Sequence, residues 1–238
     1  MINGMLDIIF PQSRCSICRK RGNYSLRQPW CSQCQQEMKE LAQSGKVCAV
    51  CGRYISDGKR CSDCRWHHPE FHIARGVGPY ERSYRLTIKI YKFMGRRKLA
   101  WPMGRMMAEK IKAEPGFWPI DLLIAVPISS NGLEERGFNQ TELLARQISR
   151  RLKVPFRNGS LRRVLERPSQ RELTREEREH NLRCAFVVDQ PKQIANKNIV
   201  LVDDVYTTGS TARECARVLL AAGAKRVSII TWATGRAF

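Results

Sequence analysis

The chain has 238 residues, enough for one large domain or two smaller ones, and its 42% hydrophobic content can fill a sizeable core. Lysine and arginine number 42 against 22 acids, and the resulting charge of +20 suits a polyanionic partner such as nucleic acid. No stretch approaches the roughly 18 apolar residues of a membrane span. The first ten residues also lack the basic start and long apolar centre of a signal peptide, so a cytoplasmic protein without a membrane span is expected.

Residues 1–14 begin with a short apolar turn (Met5, Leu6, Ile8, Ile9, Phe10) suited to packing on the main body. Four C-x-x-C pairs follow: Cys15/Cys18, Cys31/Cys34, Cys48/Cys51 and Cys61/Cys64. A two-residue gap lets both sulfurs of a knuckle reach one metal, and tetrahedral zinc takes four thiolates. In a reducing cytosol metal is the expected reading over disulfides, with two zinc sites of four cysteines each. Sequential pairing gives a double zinc ribbon, and spacing leaves a crossed arrangement of alternate pairs open. Gly52 falls where the third knuckle must turn back, and His67, His68 and His72 are linker histidines with no necessary ligand role. The composition changes at His68-Pro69, so residues 1–68 read as a zinc-ribbon domain and 69–238 as a second domain.

Ile73 to Val77 reads as an edge strand and Tyr80 to Phe93 as a helix. Arg82, Arg85, Lys89, Lys92 and Arg96 recur at spacings of three and four, which puts them on one face of that helix, and Arg97 and Lys98 extend the run. A solvated face is one reading. The unbroken positive sign also fits a nucleic-acid backbone, with Tyr80, Tyr84, Tyr91 and Phe93 as core residues or base-stacking surfaces. A helix from Pro102 to Ala113 leads through Pro115-Gly116 to a buried strand, Asp121 to Val126. A loop (Pro127, Ile128, Ser129, Ser130) follows, then Arg136-Gly137-Phe138-Asn139-Gln140 opening a helix from Thr141 to Leu152. Residues 157–183 mix arginines with glutamates and offer few apolar anchors, which fits an exposed helical hairpin or loop, or a mobile flap. Cys184 and Cys215 read as small core residues.

Ile199-Val200-Leu201-Val202 is too short for a helix and reads as a buried strand ending at Asp203 and Asp204. The turn Thr207-Thr208-Gly209-Ser210-Thr211 brings hydroxyls and backbone N–H groups to the start of a helix, Ala212 to Ala222, with Gly223 closing it. Val227 to Trp232 is the next strand. This βαβ unit makes an anion cradle at a helix N-terminus, and the acids suit sugar hydroxyls or a cation accompanying a phosphate. No lysine follows the glycine, so the turn is not a P-loop.

Val200 to Thr211 resembles the motif with which type I phosphoribosyltransferases hold 5-phosphoribosyl 1-pyrophosphate (PRPP). The resemblance implies an α/β domain with a central, mostly parallel sheet. It also implies that Asp203 and Asp204 meet the ribose hydroxyls, that Thr207, Thr208, Gly209, Ser210 and Thr211 hold the 5′-phosphate, and that Pro127 to Ser130 contact pyrophosphate with Mg2+. The Arg136–Gln140 motif, the later pattern of Gln170, Leu173, Arg178, Asn181, Leu182, Ala185 and Phe186, and the ribbons that precede them resemble the ComF competence-protein family. Gln170, Arg178 and Asn181 then belong to a flap over the ligand. One departure shows at Ile128-Ser129-Ser130-Asn131, where that family usually carries Leu-His-Pro and a basic residue. The family resemblance implies DNA uptake in natural transformation, with PRPP and single-stranded DNA as ligands. It further implies a helicase-like ATPase partner and a place at the inner face of the cytoplasmic membrane. A metabolic phosphoribosyltransferase and a PRPP-sensing DNA-binding regulator are the alternatives, and the residues leave catalytic turnover open.

Overall fold

The computed structural model describes residues 12–25, 27–164 and 185–237. The chain opens with two small ribbons. In the first, strands β1 (Gln12–Arg14) and β2 (Arg21–Tyr24) pair antiparallel and helix α1 (Ser32–Gln43) follows. In the second, β3 (Lys46–Val47) pairs with β4 (Tyr54–Ile55), and the short helix α2 (Ser62–Trp66) follows. The second knuckle of each ribbon is a helix start: Cys31 caps α1, its sulfur accepting from the Cys34 amide, and Cys61 precedes α2. In α1 that placement aims a first-turn N–H group at the capping sulfur.

The rest of the chain forms β5 (Ala74–Pro79), α3 (Arg82–Phe93), α4 (Ala100–Ala113), β6 (Leu122–Ala125), α5 (Ser130–Arg136), α6 (Gln140–Leu152) and β7 (Phe156–Arg157). A hairpin of β8 (Leu161–Arg163) and β9 (Phe186–Val188) comes next, then β10 (Asn198–Tyr206), α7 (Ser210–Ala221) and β11 (Arg226–Thr234). Five strands make one parallel sheet in the order β5-β11-β10-β6-β7. The expected edge strand β5 is at one edge, and the two apolar runs at 121–126 and 199–202 form its interior. Strands buried on both faces read as continuous apolar runs because neither face is left for polar residues.

Alternation along the strands divides the core in two. Val200, Val202, Leu123, Ala125, Ile230 and Trp232 face a core that contains side chains of α3, α4 and α6. Ile199, Leu201, Leu122, Ile124, Val227 and Ile229 face the core under α7. Each ribbon contributes to a different one. Cys15, Cys31, Cys34, Trp30 and Met38 belong to the first core, where the Trp30 and Trp232 rings lie 6.1 Å apart and the Trp232 indole donates to the Tyr84 carbonyl. Cys48, Cys51, Cys61 and Cys64 belong to the second, with Phe71 packed edge-on to Tyr206. The second ribbon is also tied to the sheet by backbone bonds, from Ala74 N–H to the Val50 carbonyl and from Tyr54 N–H to the Gly235 carbonyl.

Gly52 takes the turn expected of it, with φ at +67°. A Cβ there would also lie 2.4 Å from the Ala74 carbonyl oxygen, so both the conformation and the approach of ribbon to sheet require glycine. Of the stretch 157–183, residues 157–164 supply the end of β7 and the strand β8. Gln170, Arg178 and Asn181 lie outside the described residues, as do Met5 to Phe10 and Cys184. Among the described residues no helix is long and apolar enough to cross a membrane.

Candidate functional site

The eight cysteines gather into two groups in sequential order: Cys15, Cys18, Cys31 and Cys34, and then Cys48, Cys51, Cys61 and Cys64. Within each group the sulfurs lie within 4.8 Å of one another, which fits four thiolates around one tetrahedral zinc ion. The crossed arrangement is thereby set aside, and no histidine enters either group among the described residues. Backbone amides of Ile17 and Cys31 point at the Cys15 sulfur, and the Cys61 amide points at Cys48. The second group has a partner that spacing does not reveal. Arg53, buried, donates to the sulfurs of Cys51 and Cys61 at 3.5 and 3.4 Å and pairs with Asp63. Four thiolates around a divalent cation leave a net negative charge, and a guanidinium held against it offsets that charge in a place water does not reach.

At the carboxyl edge of the sheet the ends of β6 and β10 lie side by side. Strand β10 does not end at the acids but runs on to Tyr206. Its neighbour β6 stops pairing at Ala125 opposite Val202, so from Asp203 onward β10 keeps only β11 beside it. The acids therefore still stand on the sheet's carboxyl rim, within a strand that outlasts its neighbour. Their surroundings differ. Asp204 is turned to α3 and α6: Lys92 Nζ donates to its Oδ1 at 2.7 Å, and Gln140 Nε2 donates to its Oδ2 at 2.8 Å. Asp203 lies towards α7, bears on Cys215, and accepts the Asp204 amide at 2.7 Å. Burial, followed by the Asp204 charge, pushes the Asp203 carboxyl up to about 7. The pair is thus unequal, one carboxylate engaged by Lys92 and Gln140 and the other pushed up by burial.

The turn after β10 has the expected form. Gly209, at φ +81°, precedes α7 in a left-handed conformation, and a Cβ on it would meet the Tyr206 hydroxyl oxygen at 2.1 Å. Glycine lets the turn close over that ring. Thr208 and Ser210 share a hydroxyl hydrogen bond of 2.9 Å, Thr207 is exposed and Thr211 half-buried. Hydroxyls and first-turn amides thus collect at the start of a 12-residue helix, an anion-binding arrangement.

On the neighbouring strand end, Pro127 and Ile128 are half-buried and Ser129 caps α5, its Oγ accepting from the Gly132 amide at 3.1 Å, with Ser130 the first residue of that helix. Helix α5 has no signal in the sequence, because Ser-Asn-Gly-Leu-Glu-Glu-Arg lacks apolar periodicity. The Arg136–Gln140 motif acquires a reason at each position. The Arg136 guanidinium lies over the Phe93 ring at 5.5 Å, and Gly137 closes α5. Phe138 packs against Tyr91, Asn139 caps α6 by accepting from the Glu142 amide, and Gln140 holds Asp204.

The basic row on α3 is outward-facing at Arg82, Arg85 and Lys89, and Arg97 and Lys98 are exposed beyond it, with Arg96 half-buried. Arg96, Arg97 and Lys98 border a cleft of about 190 Å3 against Ser16 and Pro29 of the first ribbon. Lys92 departs from the row: its side chain is 17% exposed and committed to Asp204. The hint is its position four residues after Ile88, a buried residue, which puts it at the seam of the helix's inner face. Tyr84 and Tyr91 are core residues, whereas Phe93 is 65% exposed.

Asp203 yields a pH prediction. Its folded value, about 7, lies above its ordinary 3.8, so the folded state binds more protons across that interval. Stability should therefore fall as pH rises from about 4 to about 7 and level off above. Asp203→Asn should flatten that portion of the melting-temperature profile and be the more stable form at pH 8. Parallel profiles for the two proteins would contradict the assignment.

The double zinc ribbon domain family matches residues 5–65, and the phosphoribosyl transferase domain family matches residues 139–237. Competence protein F of Haemophilus influenzae is 29% identical over 230 residues, covering 94% of this chain and 97% of that protein. DNA utilization protein YhgH of Escherichia coli O157:H7 is 30% identical over 201 residues, covering 77% and 88%. Competence protein ComFC of Bacillus subtilis is 29% identical over 203 residues, covering 81% and 78%. The sequential cysteine clusters, the parallel sheet and near full-length likeness to these proteins agree, and the chain belongs to the ComF family of competence and DNA utilization proteins.

Proposed function

We propose that this protein handles incoming single-stranded DNA in natural transformation, with PRPP and Mg2+ bound at the carboxyl rim of β6 and β10. The observation that carries the reading is the juxtaposition at that rim: an acid pair, a hydroxyl-lined helix start and a second loop on adjacent strand ends. In this reading Asp203 and Asp204 accept from the ribose hydroxyls. Thr207, Thr208, Gly209, Ser210 and Thr211 surround the 5′-phosphate, and Pro127 to Ser130 face the pyrophosphate. Mg2+, when bound, offsets pyrophosphate charge. Residues 1–68 form the ribbon unit and 69–238 the ligand-binding unit, with Gln170, Arg178 and Asn181 in the flap. The DNA backbone lies along Arg82, Arg85 and Lys89 and into the cleft at Arg96, Arg97 and Lys98, and exposed Phe93 offers a ring for base stacking. A helicase-like ATPase at the inner face of the membrane is the partner this role calls for.

A metabolic phosphoribosyltransferase is the second reading, favoured by the same rim. Against it stand the net charge of +20 and a loop that carries neither histidine nor a basic residue at Ile128 to Asn131. Ser129 is moreover engaged in capping a helix.

Fluorescence anisotropy with single-stranded DNA tests the reading, together with calorimetry of PRPP in Mg2+. Asp203→Asn with Asp204→Asn should abolish PRPP binding while the fold survives; unchanged affinity would remove the acids from the site. Arg85→Glu with Lys89→Glu and Arg96→Glu should weaken DNA binding and reduce its logarithmic salt slope by about two, as expected for three lost phosphate contacts on a single strand. An unaltered slope would take α3 out of the DNA path.

A further inference from the structure

Lys92 occupies the same helical row as Arg85, Lys89 and Arg96, yet it is the member turned inward, its ammonium 2.7 Å from Asp204 Oδ1. The Asp204 side chain is only 8% exposed, and its other oxygen is taken by Gln140. Gln140 is itself fixed from α3, since the Tyr91 hydroxyl donates to its carbonyl at 2.8 Å. The loop after α3 reaches the same segment: Arg97 donates to the Gly137 carbonyl at 2.6 Å and lies over the Phe138 ring at 5.0 Å. One helix thus presents cations to solvent on one side and grips the acid rim on the other.

We infer that Lys92 positions Asp204 for the sugar-phosphate ligand, and that the Lys92–Asp204 ion pair couples that site to polyanion binding on α3. The inference deepens the proposed function and rests on it. A cation or a sugar hydroxyl arriving at Asp204 competes for Oδ1, and a divalent cation on that oxygen would stand within about 4 Å of an ammonium of like charge. The ammonium is displaced towards the outer row. A DNA phosphate beside Lys89 and Arg96 draws the same ammonium outward from the other side. Both ligands break one bond, and whichever binds first removes that cost for the second. The coupling is therefore positive, and by linkage its factor is the same in both directions. Removing the lysine removes the shared bond, so each ligand then binds without reference to the other.

The test measures DNA affinity by anisotropy with and without PRPP and Mg2+, and PRPP affinity by calorimetry with and without a single-stranded oligonucleotide. Wild type, Lys92→Met and Lys92→Arg are compared, with melting curves to establish folding. Wild type should bind each ligand about five-fold or more tightly in the presence of the other, with equal factors both ways. Lys92→Met should bring both factors to one, and Lys92→Arg, which keeps the ion pair, should retain them. If Lys92→Met does not fold, Lys92→Gln, which can still donate to Oδ1 without the charge, takes its place. Coupling that persists in the uncharged variant overturns the inference, as does wild type that binds both ligands independently. Wild type that fails to bind PRPP or DNA overturns the proposed function itself, a separate outcome.

Discussion

The parallel pairing of β10 with β11 is the constraint on which this structure depends. It runs from Asn198 opposite Arg226 to Tyr206 opposite Thr234, and it carries the acids past the point where β6 drops away. Its two faces are covered by different material. Trp232 packs against Trp30 of the first ribbon on one side, and on the other the second ribbon's cysteines share a core with Ile229, Leu201 and Tyr206. Zinc ribbons too small to bury a core alone thereby gain one from the sheet. The sheet in turn has part of each face covered by a metal-bearing ribbon.

The chemistry at the rim follows from unequal environments. Two adjacent acids in one strand would repel if both were ionised and desolvated. Here Asp204 is met by an ammonium and an amide, while Asp203 turns the other way and is pushed up to about 7. The outcome is a rim with one carboxylate gripped by side-chain donors and one carboxyl that ionises when a cation or hydroxyl donor makes that favourable. Tyr206, the last residue of the strand, packs beneath Gly209 and against Phe71, so the phosphate turn leans on the same core as the second zinc cluster.

Much of this was legible in the residues. Short apolar runs at 122–125 and 199–202 announce strands buried on both faces, Thr207 to Thr211 announce a hydroxyl- and glycine-rich turn, and four C-x-x-C pairs announce two metal sites. Local chemistry decides those features. What could not be read was decided across distance. Lys92 and Asp204 are separated by 112 positions, and a cation on a helical stripe gives no sign of which acid awaits it. Cysteine spacing could not exclude crossed clusters, because it does not show that each pair of knuckles closes within its own hairpin and helix. Nor did Arg53 signal its contact with two zinc-site sulfurs, since one more arginine among many carries no local mark. Strand β10 ran longer than its apolar run because hydrogen bonds to β11 persist beyond the buried interior.

Whether ribbons and sheet form one cooperative body with the ligand rim at its edge is decided by calorimetric melting of zinc-replete protein against protein stripped by chelator. A cooperative body melts in a single transition that moves to lower temperature as a whole when zinc is removed, with the rim losing its ligand affinity alongside. A sheet transition that keeps its temperature and enthalpy after stripping, beside a separate loss of the ribbons, would contradict it.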